Sequence, residues 1–128
     1  MTEDSRVGLV VTHRRYVSHR DAHYGGALLD GAYVMGLFGD VATEICLRTD
    51  RDEGLLAGYR DVTFAAPVRA GDVIEVRATI VAVGNRSRTL ELVAEVHGRA
   101  FPERSESAGE MLDPPLRVAS ANAVVVVP

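Results

Sequence analysis

The longest apolar stretch of the chain covers residues 27–47, and only three carboxylates interrupt it. If the stretch is helical, with about 100° between successive residues, Asp30, Asp40 and Glu44 all fall within one sector of about 80°. The rest of the circumference is apolar, which predicts a helix buried on all sides. Buried carboxylates are costly unless they are paired, hydrogen-bonded or used in chemistry. The aligned acids therefore predict a site on this helix.

The remainder of the chain predicts β-strands: residues 73–83 and 89–97 alternate between apolar and polar positions, and the first strand is rich in β-branched residues. Five strands are predicted, at residues 7–12 with an extension towards residue 17, 55–64, 73–83, 89–97 and 116–127. A turn at residues 84–87 joins the third and fourth strands into a hairpin. Residues 98–115 are predicted to be a polar excursion and the least ordered part of the chain. The order β-α-β-β-β-β predicts an α+β fold, a single domain over residues 1–128 in which an antiparallel sheet curls around one long helix.

Composition excludes several classes of function. The formal net charge of -4 and the sequence pI of about 5.5 argue against nucleic acid or anionic membranes as partners. All the basic residues are arginine, which rules out Schiff-base catalysis, covalent attachment of pyridoxal phosphate and lysine-dependent phosphate loops. The single cysteine, Cys46, excludes an internal disulfide, and residues 1–4 are polar with no features of a signal peptide. We therefore expect a cytoplasmic protein with no membrane-spanning segment.

Three short motifs resemble those of a known family. His-Tyr-Gly-Gly at residues 23–26 resembles the His-Gly-Gly entry to the central helix of hotdog acyl-CoA enzymes. Residues 64–72 resemble the F-x-x-P-V-x-x-G-D turn between their second and third strands, and residues 83–87 resemble their V-G-x-S-S hairpin. The resemblance implies a hotdog fold and an acyl-CoA substrate. Because so small a domain often builds its pocket between subunits, we expect a homodimer or a dimer-based higher oligomer.

A longer string is similar to the family of 3-aminobutyryl-CoA ammonia-lyases. The similarity is carried by D-A-H-Y-G-G at residues 21–26, L-D-G-A at 29–32 and L-F-G-D-V-A-T-E at 37–44, and it continues through D-E-G-L at 52–55. It implies a lyase that removes ammonia from a β-amino acyl-CoA and leaves a product of the crotonyl-CoA type. Such a reaction needs no cofactor, because the CoA thioester of the substrate itself acidifies the α-carbon.

The two glycines at the predicted helix entry are the first candidates for the site. Gly25 and Gly26 would leave backbone N–H groups at a helix N-terminus, aided by the helix dipole, that can point at a thioester oxygen. The alternative is a glycine turn that only starts a helix. Tyr24 beside them and Tyr33, which falls between the acids on the helix, are candidates for contact with the substrate.

The acids are the candidates for proton transfer. Asp40 and Glu44 are four residues apart, about 6 Å along the helix axis, and like charges so placed in a buried setting raise the pKa of one of them. That suits a general base, with the other acid holding an ammonium group. The alternative is that both pair with arginines across a subunit contact. Asp30 lies about 15 Å from Asp40 along the axis, so the two can act together only across an antiparallel pair of helices in a dimer. Asp30 could otherwise be a first-turn acid favoured by the dipole.

Four further side chains are candidates for substrate contacts. His23 could orient the thioester or act as an acid, or it could only cap the helix. Arg86 and Arg88 flank Ser87 in the hairpin turn, and they could bind CoA phosphates or simply be solvated. No metal site is predicted, because the remaining histidines show no ligand-like partners in the sequence (His13, His19 and His97).

Three rival functions remain open from the sequence. The first is an acyl-CoA thioesterase, but hotdog thioesterases commonly place their acid about eight positions after the glycine, where this chain has Tyr33 and Val34. The second is an enoyl-CoA hydratase, whose Asp/His pair Asp21 and His23 faintly resemble. The third is a non-catalytic acyl-CoA sensor or carrier-bound scaffold, which has no need of buried acids.

Overall fold

A computed structural model describes residues 4–128, so that Met1, Thr2 and Glu3, part of the polar start of the chain, lie outside the described residues. It contains one five-stranded antiparallel sheet and one long helix. The elements are β1 Val10–Tyr16, α1 Gly31–Asp50, β2 Leu55–Phe64, β3 Val73–Val83, β4 Ser87–Ala100 and β5 Gly109–Val126. The strand order across the sheet is β1-β3-β4-β5-β2, which leaves β1 and β2 as its two edges. The prediction of an α+β fold with about five strands and one long helix is confirmed.

The core lies between α1 and one face of the sheet. The predicted inward positions of β3 and β4 are almost all buried, because alternate residues of a strand face the same side. These are Ile74, Val76, Ala78, Ile80, Leu90, Leu92, Ala94 and Val96. Phe38, Val41 and Ile45 of the helix are fully buried against them. The predicted bounds of β2 and β3 agree with the structure, whereas Ala82, predicted to face inward, is exposed.

The helix begins four residues later than the apolar pattern predicts. Asp30 is its N-cap, and the Asp30 carboxylate accepts a hydrogen bond from the backbone N–H of Tyr33 at 3.0 Å. The predicted start at Ala27 is wrong because Gly26 and Ala27 have left-handed backbone angles, with φ of 73° and 59°, which a right-handed helix cannot contain. Residues Gly25–Ala27 instead form a short 3-10 turn.

One face of α1 is open in the single chain. Ala32, Gly36, Asp40, Thr43 and Leu47 are exposed, and they lie opposite the core face. The prediction that the helix is buried on all sides is therefore wrong for one subunit. An open face of this kind is available to a second subunit.

The segment predicted to be a polar excursion is mostly strand. β4 continues to Ala100 and pairs with the start of β5 at Gly109, leaving a loop of residues 101–108. The prolines that suggested irregular structure, Pro114 and Pro115, lie where the β4–β5 register shifts between Val96 and Gly98. Proline has no N–H to donate to the ladder, and it is tolerated at such an irregularity. The first strand also lies later than predicted, at Val10–Tyr16.

No helix within residues 4–128 is both long enough and apolar enough to cross a bilayer.

Candidate functional site

A cavity of about 520 Å³ opens beside the start of α1. Its walls come from the segment before the helix, the first helical turn and the end of β2, including Leu28, Val34, Phe64 and Val68. Most of these side chains are apolar. Asp30 is the one carboxylate in the lining, so it faces the cavity from the helix N-cap. A mostly apolar cavity with few polar groups is the usual form of a small-molecule site.

Backbone hydrogen bonds fix the segment that forms one wall. The Leu29 N–H donates to the Val68 carbonyl at 2.9 Å, and the Ala70 N–H donates to the Ala27 carbonyl at 2.8 Å. This segment contains Gly25 and Gly26, which are both exposed. Because the glycines precede the helix by several residues, the premise that the α1 dipole aids their N–H groups is wrong. The glycines do not line this cavity themselves, but they lie between two residues that do, Tyr24 and Leu28.

The three aligned acids turn out to have different surroundings. Asp30 caps the helix, whereas Asp40 is exposed and has no hydrogen bond or ion pair within the described chain. Glu44 is held on both oxygens, by His13 Nε2 at 2.9 Å and by Arg48 Nε at 3.0 Å. Hydrogen bonds from His13 and then Arg48 hold the pKa of Glu44 below its ordinary value.

Asp40 is therefore the better candidate for a general base. A carboxylate whose pKa is lowered by hydrogen bonds, as that of Glu44 is by His13 and Arg48, accepts a proton less readily than usual. The charge of Asp40 is felt by Tyr59, the pKa of which is raised, first by burial and then by Asp40. This locates Asp40 on the side of the helix that is close to β2, an edge of the sheet.

Two other predicted residues, Tyr33 and His23, differ in their surroundings. The hydroxyl of Tyr33 is buried without a hydrogen-bond partner within residues 4–128, and such a group commonly awaits a ligand or water. His23 is exposed and packs its ring edge-on against Tyr24, with centroids 5.2 Å apart. His23 and Tyr24 directly precede the two glycines, and Tyr24 lines the cavity.

The hairpin turn offers one free arginine, not two. Arg88 is 4 % exposed, and its guanidinium donates to Asp50 and to the carbonyls of Gly84 and Ser87. The expectation that Arg88 binds CoA phosphates is contradicted by this geometry, because its donors face inward. Arg86 is exposed, and its side chain has no partner within the described chain.

Two histidines have carboxylate neighbours that could not be predicted from the sequence. His13 pairs with Glu44, a residue 31 positions away. His97 lies with Glu75 and Glu95 on the outer face of the sheet, where one ligand atom from each falls within 4.8 Å of the others. Arg14 and Arg77 already form ion pairs with these two glutamates, so the charges of the group are balanced. The absence of a metal from the enzyme stays a prediction.

Two functional candidates were missed at the sequence level. Asp72 is fully buried, and Arg99 binds it through two nitrogen atoms, Nε and Nη2. Asp72 is the last residue of the turn motif at residues 64–72, so the motif already contained one member of this ion pair. The partner on β4 could not be found, because nothing in the sequence pairs residues from separate strands.

A curled five-stranded sheet around one helix, with a substrate-sized cavity at the helix entry, defines the hotdog class of acyl-CoA proteins. The model of the thioesterase superfamily matches residues 26–98, and the chain belongs to that superfamily. Within it, the chain belongs with the acyl-CoA ammonia lyases. It is 46% identical over 114 residues to the 3-aminobutyryl-CoA ammonia lyase of Acetoanaerobium sticklandii, covering 88% of this chain and 89% of that protein.

Solved structures agree with this assignment. The β-alanyl-CoA:ammonia lyase from Clostridium propionicum superposes with a TM-score of 0.90 at 33% identity, covering 94% of this chain and 86% of that one. A hexameric hotdog thioesterase of Campylobacter jejuni superposes with a TM-score of 0.74 at 18% identity, covering 89% and 79%. The second likeness shows the hotdog fold alone.

Proposed function

We propose that the protein is a carbon-nitrogen lyase that removes ammonia from a β-amino acyl-CoA of the 3-aminobutyryl-CoA type. The observation that carries the proposal is the cavity at the helix entry, where Asp30 is the one carboxylate in a mostly apolar lining. An anionic side chain there suits the ammonium group of the substrate, and the apolar walls suit its short carbon chain. The similarity to two ammonia lyases favours the same chemistry.

The reaction needs one base, one counter-ion and a polarised thioester. N–H groups of the segment with Gly25 and Gly26 stabilise enolate character on the thioester oxygen. Asp30 holds the ammonium group of the substrate, and Asp40 takes the α-proton. The C–N bond then breaks with its electron pair passing to nitrogen, so neutral ammonia leaves and takes up the proton from Asp40 as ammonium. The thioester supplies the acidity of the α-carbon, so the proposal includes no metal and no further cofactor.

The site is completed by a second subunit that binds at edge strand β2. Leu55 and Phe64, at the two ends of β2, are 73% and 53% exposed, and an unpaired apolar edge is a template for strand pairing. At the middle of the strand, the Tyr59 hydroxyl donates to the Met35 carbonyl at 3.2 Å. Helix α1 and β2 run in opposite directions, since Gly31 lies against Phe64 and Cys46 lies beside Gly54.

Antiparallel pairing of two β2 strands about Tyr59 brings the acids of different subunits together. The two-fold axis then passes level with Met35, which is midway along the chain between Asp30 and Asp40. Symmetry places Asp40 of one subunit level with Asp30 of the partner subunit. The distance of about 15 Å that separates the two acids within one helix is therefore no obstacle in a dimer.

The same axis gives Arg86 a role. Leu55 pairs with Val126, and Val126 pairs with Ser87, so the hairpin turn lies at the Leu55 end of the sheet, about 10 Å from its edge. The partner subunit's cavity lies at that end as well. Arg86 can then bind a phosphate of the CoA held in the partner's cavity, and a CoA thioester substrate is in keeping with a cytoplasmic enzyme.

The reaction type is tested with crotonyl-CoA, with and without ammonium. We expect loss of the enoyl absorbance that depends on ammonium, with no release of CoA thiol. Thiol release at a comparable rate without ammonium would assign the protein to the thioesterases, and ammonium-independent loss of absorbance would assign it to the hydratases.

The shared site is tested by mixing two inactive variants, Asp30→Asn and Asp40→Asn. In a mixed dimer one site carries both substitutions and the other carries neither, so a random mixture regains about a quarter of wild-type activity. If each subunit held a complete site, every site in the mixture would carry one substitution and no activity would return. Mixing Asp40→Asn with itself after the same unfolding and refolding step is the control.

A further inference from the structure

The turn beside the cavity contains a fully buried charge. The carboxylate of Asp72 is 0% exposed, and its oxygens accept from Arg99 Nε at 2.9 Å, Arg99 Nη2 at 2.9 Å and the Arg69 N–H at 2.8 Å. Arg99 Nη2 also donates to the Pro67 carbonyl at 3.1 Å. A buried ion pair is often no more stabilising than well-packed apolar residues, but a two-point arginine contact fixes orientation. The pair therefore holds residues 67–72 in one geometry.

That turn is the support of the glycine segment. The Val68 carbonyl accepts from the Leu29 N–H, and the Ala70 N–H donates to the Ala27 carbonyl. An isolated β-bridge joins Leu28 to Arg69 between these two bonds. One partner in each of these contacts belongs to the turn and lies within four residues of Asp72. The other partner lies between the glycines and the helix cap, so a shift of the turn moves the glycines and the cap together.

We propose that Asp72 and Arg99 are positioning residues of the enzyme, which set the N–H groups of the glycine segment and the Asp30 carboxylate against the substrate. The inference rests on the proposed lyase function. Neither residue lines the cavity that Asp30 faces: Asp72 is buried beneath the turn and acts through residues 67–70. A displacement of about 1 Å at such groups can cost about a hundredfold in rate.

The chain contains a matched control at the other end of α1. Asp50 is bound by Arg88 through Nε at 3.1 Å and Nη2 at 2.7 Å, and both side chains are largely buried. Asp72→Asn and Asp50→Asn therefore each remove the charge of a carboxylate held by a two-point arginine contact, one beside the glycine segment and one at the opposite end of the same helix, where Asp50 also accepts from Arg6 Nη1 at 3.0 Å. Arg99→Lys is a milder second variant, because lysine keeps the charge and loses the two-point contact.

The test measures ammonium-dependent turnover of crotonyl-CoA, thermal melts and amide hydrogen exchange on the three variants. We expect Asp72→Asn to lower kcat by about 10- to 100-fold with little change in KM, and Arg99→Lys to lower it less. We expect Asp50→Asn to lower the melting temperature by about as much as Asp72→Asn does, and to keep kcat within about twofold of wild type. Exchange at residues 27–29 should rise in Asp72→Asn and not in Asp50→Asn, because only the first loosens that segment.

Two results would overturn the proposal. The first is a kcat in Asp72→Asn that falls no further than in Asp50→Asn at equal folded fraction. The second is unchanged exchange at residues 27–29. If Asp72→Asn does not fold, Arg99→Lys decides in the same way. An inactive wild-type enzyme would instead overturn the proposed function, and it is told apart because the exchange measurement needs no substrate.

Discussion

The two ends of helix α1 are fixed by the same kind of interaction, but they differ in what they leave open. At the C-terminal end, Arg88 binds Asp50 through two nitrogens, and its third nitrogen donates to carbonyls of the hairpin turn. At the N-terminal end, Arg99 binds Asp72 in the same manner. The N-terminal end also borders a cavity, and Asp30 faces it. The ion pairs thus fix the structure at both ends, and chemistry is expected where a carboxylate is left to meet a ligand.

The largest effect should come from the two acids assigned to the reaction, Asp30 at the N-terminal end of α1 and Asp40 on its exposed face. Asp40→Asn and Asp30→Asn are expected to lower kcat by about 10²–10⁴, the usual range for a lost proton-transfer group. Asparagine caps a helix about as well as aspartate, so Asp30→Asn should keep its melting temperature. Glu44→Gln should cost about tenfold or less, because Glu44 is already bound by His13 and Arg48. Steady-state kinetics with matched melts give the ranking.

A different ranking would move the site. If Glu44→Gln were the most damaging substitution while Asp40→Asn kept near-full turnover, the proton-transfer group would lie beside His13 on β1. Loss of activity that follows the melting temperature in every variant would make the acids structural.

Substitution at the C-terminal end of α1 should have the opposite effect, a loss of stability without a loss of rate. Asp50→Asn leaves the buried guanidinium of Arg88 without its counter-ion, which typically costs about 3 kcal/mol. For a domain of this size that lowers the melting temperature by about 10 °C. The kcat of the folded protein should stay close to wild type. A fall in kcat below a tenth of wild type would mean that this end also contributes to the site.

The sequence predicted the sheet better than the ends of its elements. Strands β2 and β3 have the predicted bounds because glycine or proline flanks each of them, and β3 also alternates between buried and partly exposed positions. The helix start was missed because Ala27 and Leu28 continue the apolar pattern, although positive backbone angles at Gly26 and Ala27 stop the helix. Asp30 followed by a glycine was a readable cap signal, and the apolar run concealed it.

The sequence suggested candidate residues for the site, but it did not show which of them are bound by other side chains. Helical periodicity placed the three acids on one side, and nothing in a periodicity tells which of them is bound. The partner of Glu44, His13, is distant in sequence and comes from the far edge strand β1. The same limit explains Arg88, since an exposed and a buried arginine look alike in a turn. Contacts between separate elements require the fold itself.

Low pH should weaken the contact between Asp50 and Arg88 at the C-terminal end of α1. The hydrogen bond from Arg88 holds the pKa of Asp50 below its ordinary value. A lowered pKa in the folded state means that the stabilisation is fully present above about pH 4 and is lost as the pH falls through the folded-state value. The difference in urea midpoint between wild type and Asp50→Asn should therefore shrink from pH 7 to pH 3. A difference that stays constant would show that Asp50 contributes through packing instead of charge.

The smallest expected effect concerns the one free arginine of the hairpin turn. Within its own subunit, Arg86 lies near the C-terminal end of α1. In the proposed dimer, the pairing of the β2 strands brings that end to the partner subunit's cavity. Arg86→Ala should raise KM for the CoA thioester by about 3- to 10-fold and leave kcat unchanged, as expected when one phosphate contact is lost equally from the ground and transition states. Increasing salt should weaken the wild type towards the variant, since the contact is exposed. Arg60→Ala, which removes another exposed arginine from the middle of β2, should instead alter dimer formation measured by sedimentation. If Arg86→Ala leaves KM unchanged in a stable dimer, the CoA phosphates bind elsewhere, and the two ends of the helix are as separate in the dimer as they are in the single chain.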